Sequence, residues 1–261
     1  MKNKCWLFVP AREKTLSKVI PNKGYAIIID LEDSISENEK DVALQYASEY
    51  VEKHVEYSSD IIIRVNRDRL KTELQALKKW PIQYMIPKYE GEVELSLYEN
   101  LFNGHKIIAL IETPMGVLNI EQIAASGKVQ AIAFGAEDFT ASINMDNTNE
   151  LLISTKMRVL TAAKAFSIPV VDTPSFHVND EEKFKEDLSY SLRLGFDGKM
   201  AIHPKHVDYI NKCFSHGDVL YYESIVNEYD RLGGGVQMID GKVYEKMHIN
   251  RLRKIIKENI V

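Results

Sequence analysis

The sequence contains few cysteines: Cys5 and Cys213 are the only two in 261 residues, and they form no CxxC pair or other ligand spacing. We therefore expect neither a disulfide scaffold nor a cysteine zinc site. Long apolar runs are missing as well, since nothing approaches the roughly 20 residues that span a bilayer. The first apolar run, CWLFVP, is too short for a signal peptide and is followed closely by charges. A cytoplasmic protein with no membrane contact is the expectation.

Blocks of basic residues are also lacking, and the formal net charge is −5. Nucleic acid is therefore not an expected partner. The stretch LFVPAREK, which includes the end of the first apolar run, contains no GxGxxG pattern, which argues against a dinucleotide-binding fold. With 45% hydrophobic and 27% charged residues, the chain has the composition of one large soluble domain.

Eight short apolar runs recur along the chain, separated by amphipathic helix patterns. They are rich in β-branched residues and mostly lack strict alternation, which is typical of strands buried on both faces of a parallel sheet. Eight strand–helix units in about 215 residues predict an α/β fold, a (β/α)8 TIM barrel, with a doubly wound open sheet as the alternative. The runs are residues 5–10, 25–30, 60–65, 83–88, 106–112, 129–135, 168–173 and 198–203.

Local signals mark several boundaries of the helices. Thr113 followed by Pro114 predicts a helix start, and Asn179 or Asp180 together with Gly195 brackets another helix. After the last strand, three consecutive glycines at 233–235 indicate a hinge. We therefore expect a catalytic barrel domain over residues 1–230 and a C-terminal hinge and helical extension over residues 231–261.

Ionisable residues stand at the ends of seven of the eight predicted strands. In a (β/α)8 barrel these ends face one mouth, where active sites lie. A single polar residue suits a solvated strand end, but unlike charges gathered in one mouth must pair or bind something. The residues are Asp30, Glu32, Asp33, Arg64, Lys88, Glu112, Glu137, Asp138, Asp172 and His203.

Glu112 and Asp138 follow adjacent predicted strands at equivalent depth. Two carboxylates directed at one point repel each other unless a cation lies between them. Mg²⁺ suits them because it prefers oxygen ligands and needs only one or two protein carboxylates. The alternative without a metal is that Arg64 and Lys88 neutralise the two acids. Glu137 precedes Asp138 in a segment taken as extended, so only one of these two acids is expected to face the axis.

Arg64 keeps its proton and presents a fixed fork of donors. Beside a magnesium ion it could hold an oxygen that becomes negative during reaction. This combination favours enolate chemistry on a 2-oxo acid.

Seven segments together resemble the citrate lyase β-subunit-like proteins of the HpcH/HpaI aldolase superfamily, close to the citramalyl-CoA and malyl-CoA lyases. They are LFVPAREK, IIIDLEDSI, IIIRVN, MIPKYE, ALIETPMGVLNI, IAFGAEDF and LGFDGKMAIHPKHVDYIN, in that order. The resemblance implies a magnesium-dependent barrel that cleaves or forms C–C bonds in CoA or carrier-protein thioesters. It implies Glu112 and Asp138 as metal ligands, Arg64 as the group that binds the 2-oxo acid, and Glu32 and Asp33 as acids near the metal's water ligands.

The resemblance also places the CoA arm in the first β/α loop, against Phe8, Lys14 and Lys18. Lys14 and Lys18 are four residues apart, as neighbours on one helix face would be, and lysines suit the phosphates of CoA. The chain departs from the family pattern in its tail, where DGKVYEK replaces DG-x-M-I-D. Glu245 therefore stands where the family's CoA lyases carry a general acid–base aspartate, which they deliver into a neighbouring subunit.

The leading hypothesis is a Mg²⁺-dependent lyase that splits a citramalyl-CoA or malyl-CoA type thioester into an acyl-CoA and a 2-oxo acid. The alternatives are a citrate lyase β-subunit acting on a carrier-protein thioester, an aldolase acting on free 2-oxo acids, and a barrel that binds such ligands without turnover. By the resemblance the assembly is a homotrimer or a larger homo-oligomer. The apolar residues of the tail agree with this, since they need a partner surface; they are Val243, Met247, Leu252, Ile255 and Ile256.

Overall fold

The computed structural model describes residues 2–91, 102, 107–215 and 219–259. Eight parallel strands close into one barrel in chain order, with β1 paired to β8, so the predicted (β/α)8 fold is confirmed. Each strand falls within one of the predicted apolar runs. The strands are β1 (Cys5–Pro10), β2 (Tyr25–Asp30), β3 (Ile61–Arg64), β4 (Gln83–Ile86), β5 (Ile107–Ile111), β6 (Val129–Phe134), β7 (Val170–Asp172) and β8 (Gly198–Ala201).

Helices follow the strands, and several begin or end where the sequence predicts. Thr113 caps α4 by accepting a bond from the Gly116 amide, and Asp180 caps α8, which ends at a left-handed Gly195. The helices up to residue 215 are α1 (Glu13–Leu16), α2 (Lys40–Lys53), α3 (Leu70–Leu77), α4 (Pro114–Leu118), α5 (Ile120–Ala125), α6 (Ala136–Ser142), α7 (Asn149–Ala165), α8 (Glu181–Leu194) and α9 (Lys205–Ser215).

Alternate residues of the strands fill the barrel interior. The interior cluster includes Ile28, Ile62, Leu110 and Ala133, all nearly or fully buried. Because side chains alternate along a strand, the residue two positions further on also faces the axis. That rule places Asp30, Arg64, Glu112 and Gly135 at the inner rim of the mouth.

A second unit spans Lys212–Val261, and the first spans Met1–Asn211. The second unit contains α10 (Val219–Arg231), the antiparallel hairpin β9 (Gln237–Ile239) and β10 (Lys242–Tyr244), and α11 (Lys246–Asn259). Its core includes Ile225, Tyr229 and Ile249, with Leu252 and Ile256 packed against it. α10 thus belongs with the tail, ahead of the glycine triplet, and the domain division at residue 230 stays a prediction. No helix within the described residues is long and apolar enough to cross a membrane.

Candidate active site

A cavity of about 390 Å³ lies at the carboxyl ends of the strands; we call it the barrel-mouth cavity. One part of its wall is apolar and includes Phe8, Leu110, Phe176, Met200 and Ile202. The other part is acidic and includes Asp30, Asp33, Glu112, Glu137 and Asp138. Among the described residues that line it, Arg64 is the only cationic side chain. The cavity therefore combines an acidic part, which we call the acidic pole, with one guanidinium and an apolar wall.

Arg64 and Asp30 form a buried two-bond ion pair. They occupy opposite positions in the β2–β3 ladder, so their inward-facing side chains meet. Arg64 Nε donates to Asp30 Oδ1 at 2.7 Å, and Nη2 donates to Oδ2 at 2.8 Å. Burial opposes the negative charge of Asp30, but the hydrogen bonds and charge of Arg64 outweigh it and lower the pKa of Asp30. The pair fixes the guanidinium plane at the rim.

Two further acids surround the same guanidinium. Arg64 Nη1 donates to Asp33 Oδ2 at 3.1 Å and lies 3.0 Å from Glu32 Oε2. Phe8 covers the guanidinium from one side, with its ring centroid 5.0 Å from Arg64 Cζ. Burial raises the pKa of Glu32, although Arg64 and Lys88 oppose that rise. Asp33 lines the cavity and is half-exposed, whereas Glu32 is mostly buried and is not among the residues that line the cavity.

Glu112 follows β5 and is 2% exposed. Its Oε1 accepts a 2.8 Å hydrogen bond from the backbone amide of Lys88. Burial, and then repulsion by Asp138 and Glu32, raises the pKa of Glu112 to about 8. Gly135 makes room for this carboxylate, since a Cβ at that position would lie 2.5 Å from Glu112 Oε2.

The predicted alternative in which Arg64 and Lys88 neutralise Glu112 and Asp138 is wrong. Arg64 pairs with Asp30 and its neighbours, and Lys88 Nζ pairs with Glu32 Oε1 at 3.0 Å. In the part of the chain that the structure describes, no cationic side chain pairs with Glu112 or Asp138.

Glu137 and Asp138 lie in the first turn of α6, not in an extended segment. The prediction of an extended segment is therefore wrong at this position, and successive helical residues do not point to opposite sides. Both line the barrel-mouth cavity. Glu137 Oε1 accepts a 2.6 Å bond from Asn147 Nδ2, which leaves Asp138 as the acid that faces Glu112.

The donor set at this pole fits Mg²⁺. It offers two carboxylates that lack a cationic partner, one of them held by an amide and given space by a glycine. Mg²⁺ is typically held by one or two carboxylates, with water and substrate completing its octahedron. Within the described ranges, no group of three or more histidine, cysteine, aspartate or glutamate side chains has the arrangement of a metal site. A metal held mainly by protein ligands is therefore a poorer match than Mg²⁺.

Of the three residues expected to hold CoA, only one lines the cavity. Phe8 lines it, but Lys14 and Lys18 are both exposed and do not. The prediction that these lysines share a helix face is wrong, because α1 ends at Leu16 and Lys18 lies in the following turn. Glu245 is exposed in the second unit just before α11, where its amide donates to His248 Nδ1 at 3.1 Å. Its catalytic role stays a prediction.

Asp172, at the end of β7, is not among the residues that line the barrel-mouth cavity. Val171 faces the barrel interior, so Asp172 points outward toward the helices. It is fully buried there, 3.1 Å from Lys156 Nζ and 3.4 Å from Lys199 Nζ.

Sequence reasoning missed the roles of Asp30 and Gly135. The signal for Asp30 was its place as the last residue of β2, level with Arg64 at the end of β3. The signal for Gly135 was a glycine between a buried strand and two acids.

Comparison with known proteins identifies relatives along nearly the whole chain. The sequence profile of the HpcH/HpaI aldolase/citrate lyase family matches residues 4–204. The citrate lyase subunit beta of Leuconostoc mesenteroides subsp. cremoris is 28% identical over 277 residues, covering 96% of this chain and 91% of the relative. The mitochondrial citramalyl-CoA lyase of Rattus norvegicus is 24% identical, covering 96% and 84%.

A solved structure gives the same architecture. The protein CitE from Mycobacterium tuberculosis, in complex with magnesium, acetoacetate and coenzyme A, superposes with a TM-score of 0.80. The match covers 100% of this chain and 99% of that one at 21% identity. At this level of sequence identity, the similarity shows that the two proteins share a fold.

Proposed function

Since this chain belongs to the HpcH/HpaI aldolase/citrate lyase family and is a carbon–carbon lyase of the oxo-acid-lyase type, we propose that it is Mg²⁺-dependent. Its proposed substrate is a 3-hydroxyacyl-CoA thioester of the citramalyl or malyl type. Cleavage would give acetyl-CoA or another acyl-CoA and a 2-oxo acid such as pyruvate or glyoxylate. A barrel that only binds these ligands is set aside, because the family relation makes the chain an enzyme.

One observation carries the proposal: Glu112 and Asp138 share the barrel-mouth cavity with Arg64 and have no cationic side-chain partner within the described residues. Glu112 and Asp138 would hold the metal. When bound, Mg²⁺ supplies positive charge that polarises the 2-oxo acid and offsets the charge that develops on its oxygen.

Arg64 supplies the second positive group. Asp30 accepts bonds from Nε–H and one N–H of Nη2, and Asp33 accepts a bond from one N–H of Nη1, which leaves one N–H donor on each terminal nitrogen. These can hold the carboxylate or the carbonyl oxygen of the 2-oxo acid without breaking the ion pair. During cleavage the C2–C3 bond breaks and its electron pair goes to C2. The C3 hydroxyl gives up its proton and becomes the carbonyl of the 2-oxo acid, and C2 of the acyl-CoA takes up one proton, so that no proton is gained or lost overall. We assign the proton at C2 to Glu245 of a neighbouring subunit in the proposed homo-oligomer.

The charge of the cavity wall favours citramalyl and malyl thioesters over citryl thioesters. A citryl group carries one more carboxylate than either of the others. Among the described lining residues Arg64 is the one cation and is already paired with Asp30, while five acids line the same wall. A second substrate carboxylate in this cavity would be repelled by these acids and would lose its hydrating water. The apolar wall formed by Phe8, Met200 and Ile202 suits a methyl group or hydrogen on C3.

A citrate lyase β-subunit that acts on a carrier-protein thioester is the second candidate, supported by the 28% identical Leuconostoc relative. The proposed assembly is a homotrimer or a larger homo-oligomer, and the proposed location is the cytoplasm. Lys14 and Lys18 remain proposed contacts of the CoA phosphates, as exposed charges rather than as parts of the cavity.

The decisive assay measures cleavage of citramalyl-CoA, malyl-CoA and a citryl thioester with Mg²⁺ or with EDTA. We expect Mg²⁺-dependent release of pyruvate or glyoxylate together with acetyl-CoA, and slower release of oxaloacetate. Glu112→Gln should abolish the Mg²⁺-dependent rate. No turnover of any of the three thioesters would refute the proposed function.

A further inference from the structure

Lys88 has a backbone conformation that an L-residue with a long side chain rarely adopts. It follows β4 with φ of 48°, in the left-handed region. In that region the Cβ of a non-glycine residue lies too close to the following carbonyl oxygen, so the conformation is sterically disfavoured. Such a conformation persists only where the surrounding structure over-determines it, and these positions cluster at functional sites.

Contacts from three directions fix this conformation. The carbonyl of Lys88 accepts a 2.6 Å bond from Arg67 Nη1. Its ammonium reaches Glu32 Oε1 at 3.0 Å. The next residue, Tyr89, resumes the ladder by donating its amide to the Leu110 carbonyl at 3.1 Å. The chain therefore deviates at one residue and then returns to β5.

The deviation turns one amide out of the ladder and toward the active site. The Lys88 N–H donates to Glu112 Oε1 at 2.8 Å instead of bonding to a strand carbonyl. With Oε1 held in this way and Gly135 leaving space beside Oε2, the Glu112 carboxylate has a fixed orientation. Oε2 has no hydrogen-bond partner within the described residues.

We propose that Lys88 is a positioning residue for the metal site: its left-handed backbone directs the amide that holds Glu112 ready for Mg²⁺. The proposal rests on the proposed magnesium site and goes beyond it. It assigns the effect to the backbone of Lys88, so a residue that accepts the left-handed region should preserve metal binding even without an ammonium. A residue that avoids this region should weaken metal binding.

The test compares substitutions that all remove the ammonium but differ in backbone preference. Lys88→Gly and Lys88→Asn accept the left-handed region, whereas Lys88→Ala disfavours it. Isothermal titration of each full-length variant with Mg²⁺ alone gives the dissociation constant. We expect Lys88→Ala to bind Mg²⁺ roughly three- to tenfold more weakly than Lys88→Gly, with Lys88→Asn close to Lys88→Gly. If Lys88→Ala does not fold, Lys88→Gln provides the same comparison.

Ser167 provides a matched control. It also has a left-handed backbone, with φ of 58°, and lies in the turn after α7 outside the cavity wall. Ser167→Ala should melt at a lower temperature than Ser167→Gly, as in the Lys88 pair, but both Ser167 variants should bind Mg²⁺ like the parent chain. A difference in melting temperature without a difference in affinity at Lys88 would mean a purely structural role.

The outcomes separate this inference from the proposed function. Equal Mg²⁺ affinities in the Lys88 variants, with the parent chain binding Mg²⁺ and cleaving thioester, would overturn the role of Lys88 and leave the function standing. A parent chain that binds no Mg²⁺ would overturn both.

Discussion

Asp30 and Arg64 are level in adjacent strands, and Asp30 receives two hydrogen bonds from the guanidinium, at 2.7 and 2.8 Å. Both side chains are at least 90% buried. Asp30 is therefore expected to affect the proposed reaction through Arg64, which lines the barrel-mouth cavity. The ion pair lets a charged group stay at a buried rim in one orientation.

Asp30→Asn should reduce both stability and turnover. The variant leaves a buried guanidinium short of its main counter-charge, which costs about 3 kcal/mol of the free energy of unfolding. A misdirected Arg64 should lower kcat/KM on the order of 100-fold. Urea unfolding and the thioester cleavage assay measure the two effects.

Asp33→Asn is the matched control for Asp30→Asn, because Asp33 bonds the same guanidinium but is half-exposed. Its effect on unfolding should stay below about 1 kcal/mol. Equal losses of stability in the two variants would contradict the claim that Asp30 is the main counter-charge of Arg64.

Neutralising either proposed metal ligand should remove Mg²⁺ binding. We expect Glu112→Gln and Asp138→Asn to weaken Mg²⁺ affinity by more than about 100-fold, since changes to outer-shell partners alone cost 10- to 100-fold. Glu137→Gln is a close control, because Glu137 lines the same cavity but bonds Asn147. It should bind Mg²⁺ within a few-fold of the parent. Titration calorimetry checks all three, and a Glu137→Gln variant as weak as the other two would reassign the ligand.

Gly135→Ala tests the space beside Glu112. The added methyl would lie 2.5 Å from Glu112 Oε2 and 2.8 Å from its Cβ, so the carboxylate must move. Gly135 has φ of −100°, which alanine adopts without strain, so the backbone is not the cause of any loss. We expect at least a tenfold loss of Mg²⁺ affinity with little change in secondary structure by circular dichroism.

A double-mutant cycle with Glu112→Asp sharpens the Gly135 test. Aspartate withdraws the carboxylate from the added methyl but keeps the Cβ that lies 2.8 Å from it. Part of the clash is relieved, so the two losses of Mg²⁺ affinity should be less than additive. Full additivity would show that Gly135 does not act through Glu112.

The candidate site residues that can be predicted from the sequence are those at the ends of strands. Glu112 and Asp138 were found because apolar runs mark buried strands, and the ends of parallel strands meet at one edge. Asp30 was not recognised as the partner of Arg64 because runs without alternation do not fix which residues stand opposite each other.

The errors concern where a short helix starts or stops. Lys14 and Lys18 were placed on one helix because their spacing fits one, but α1 is four residues long. The prediction for Glu137 and Asp138 extends the strand past Gly135, whereas α6 begins at Ala136. Periodicity is too weak over one helical turn to place either boundary.

Glu73 should make stability depend on pH. It is 1% exposed and accepts bonds from the backbone and side-chain amides of Asn66 at 2.8 and 2.6 Å. Burial raises the pKa of Glu73 from 4.5 to about 7, although Asn66 opposes the rise. The folded chain therefore binds the proton more tightly than the unfolded chain. The stabilisation is fully present below pH 4.5 and is lost as pH rises through 7.

Relative to Glu73→Gln, the parent chain should lose about 3 kcal/mol of the free energy of unfolding between pH 4.5 and 8. Urea unfolding at intervals across that window measures the difference. The exposed Glu121→Gln variant serves as a control and should follow the parent at every pH. A constant difference between Glu73→Gln and the parent would contradict the prediction.

Glu245 should affect proton transfer without affecting the metal. A positioned general acid–base contributes about 10²- to 10⁴-fold, so Glu245→Gln should lower kcat by at least about 100-fold while Mg²⁺ affinity stays unchanged. Glu245→Asp retains an acid and should recover most of the rate if the carboxyl group is what matters. Exchange of the methyl protons of acetyl-CoA with D₂O, in the presence of Mg²⁺ and pyruvate, isolates this step. If the Glu245→Gln variant still exchanges the methyl protons at the parent rate, another residue transfers the proton and Glu245 has no role in catalysis.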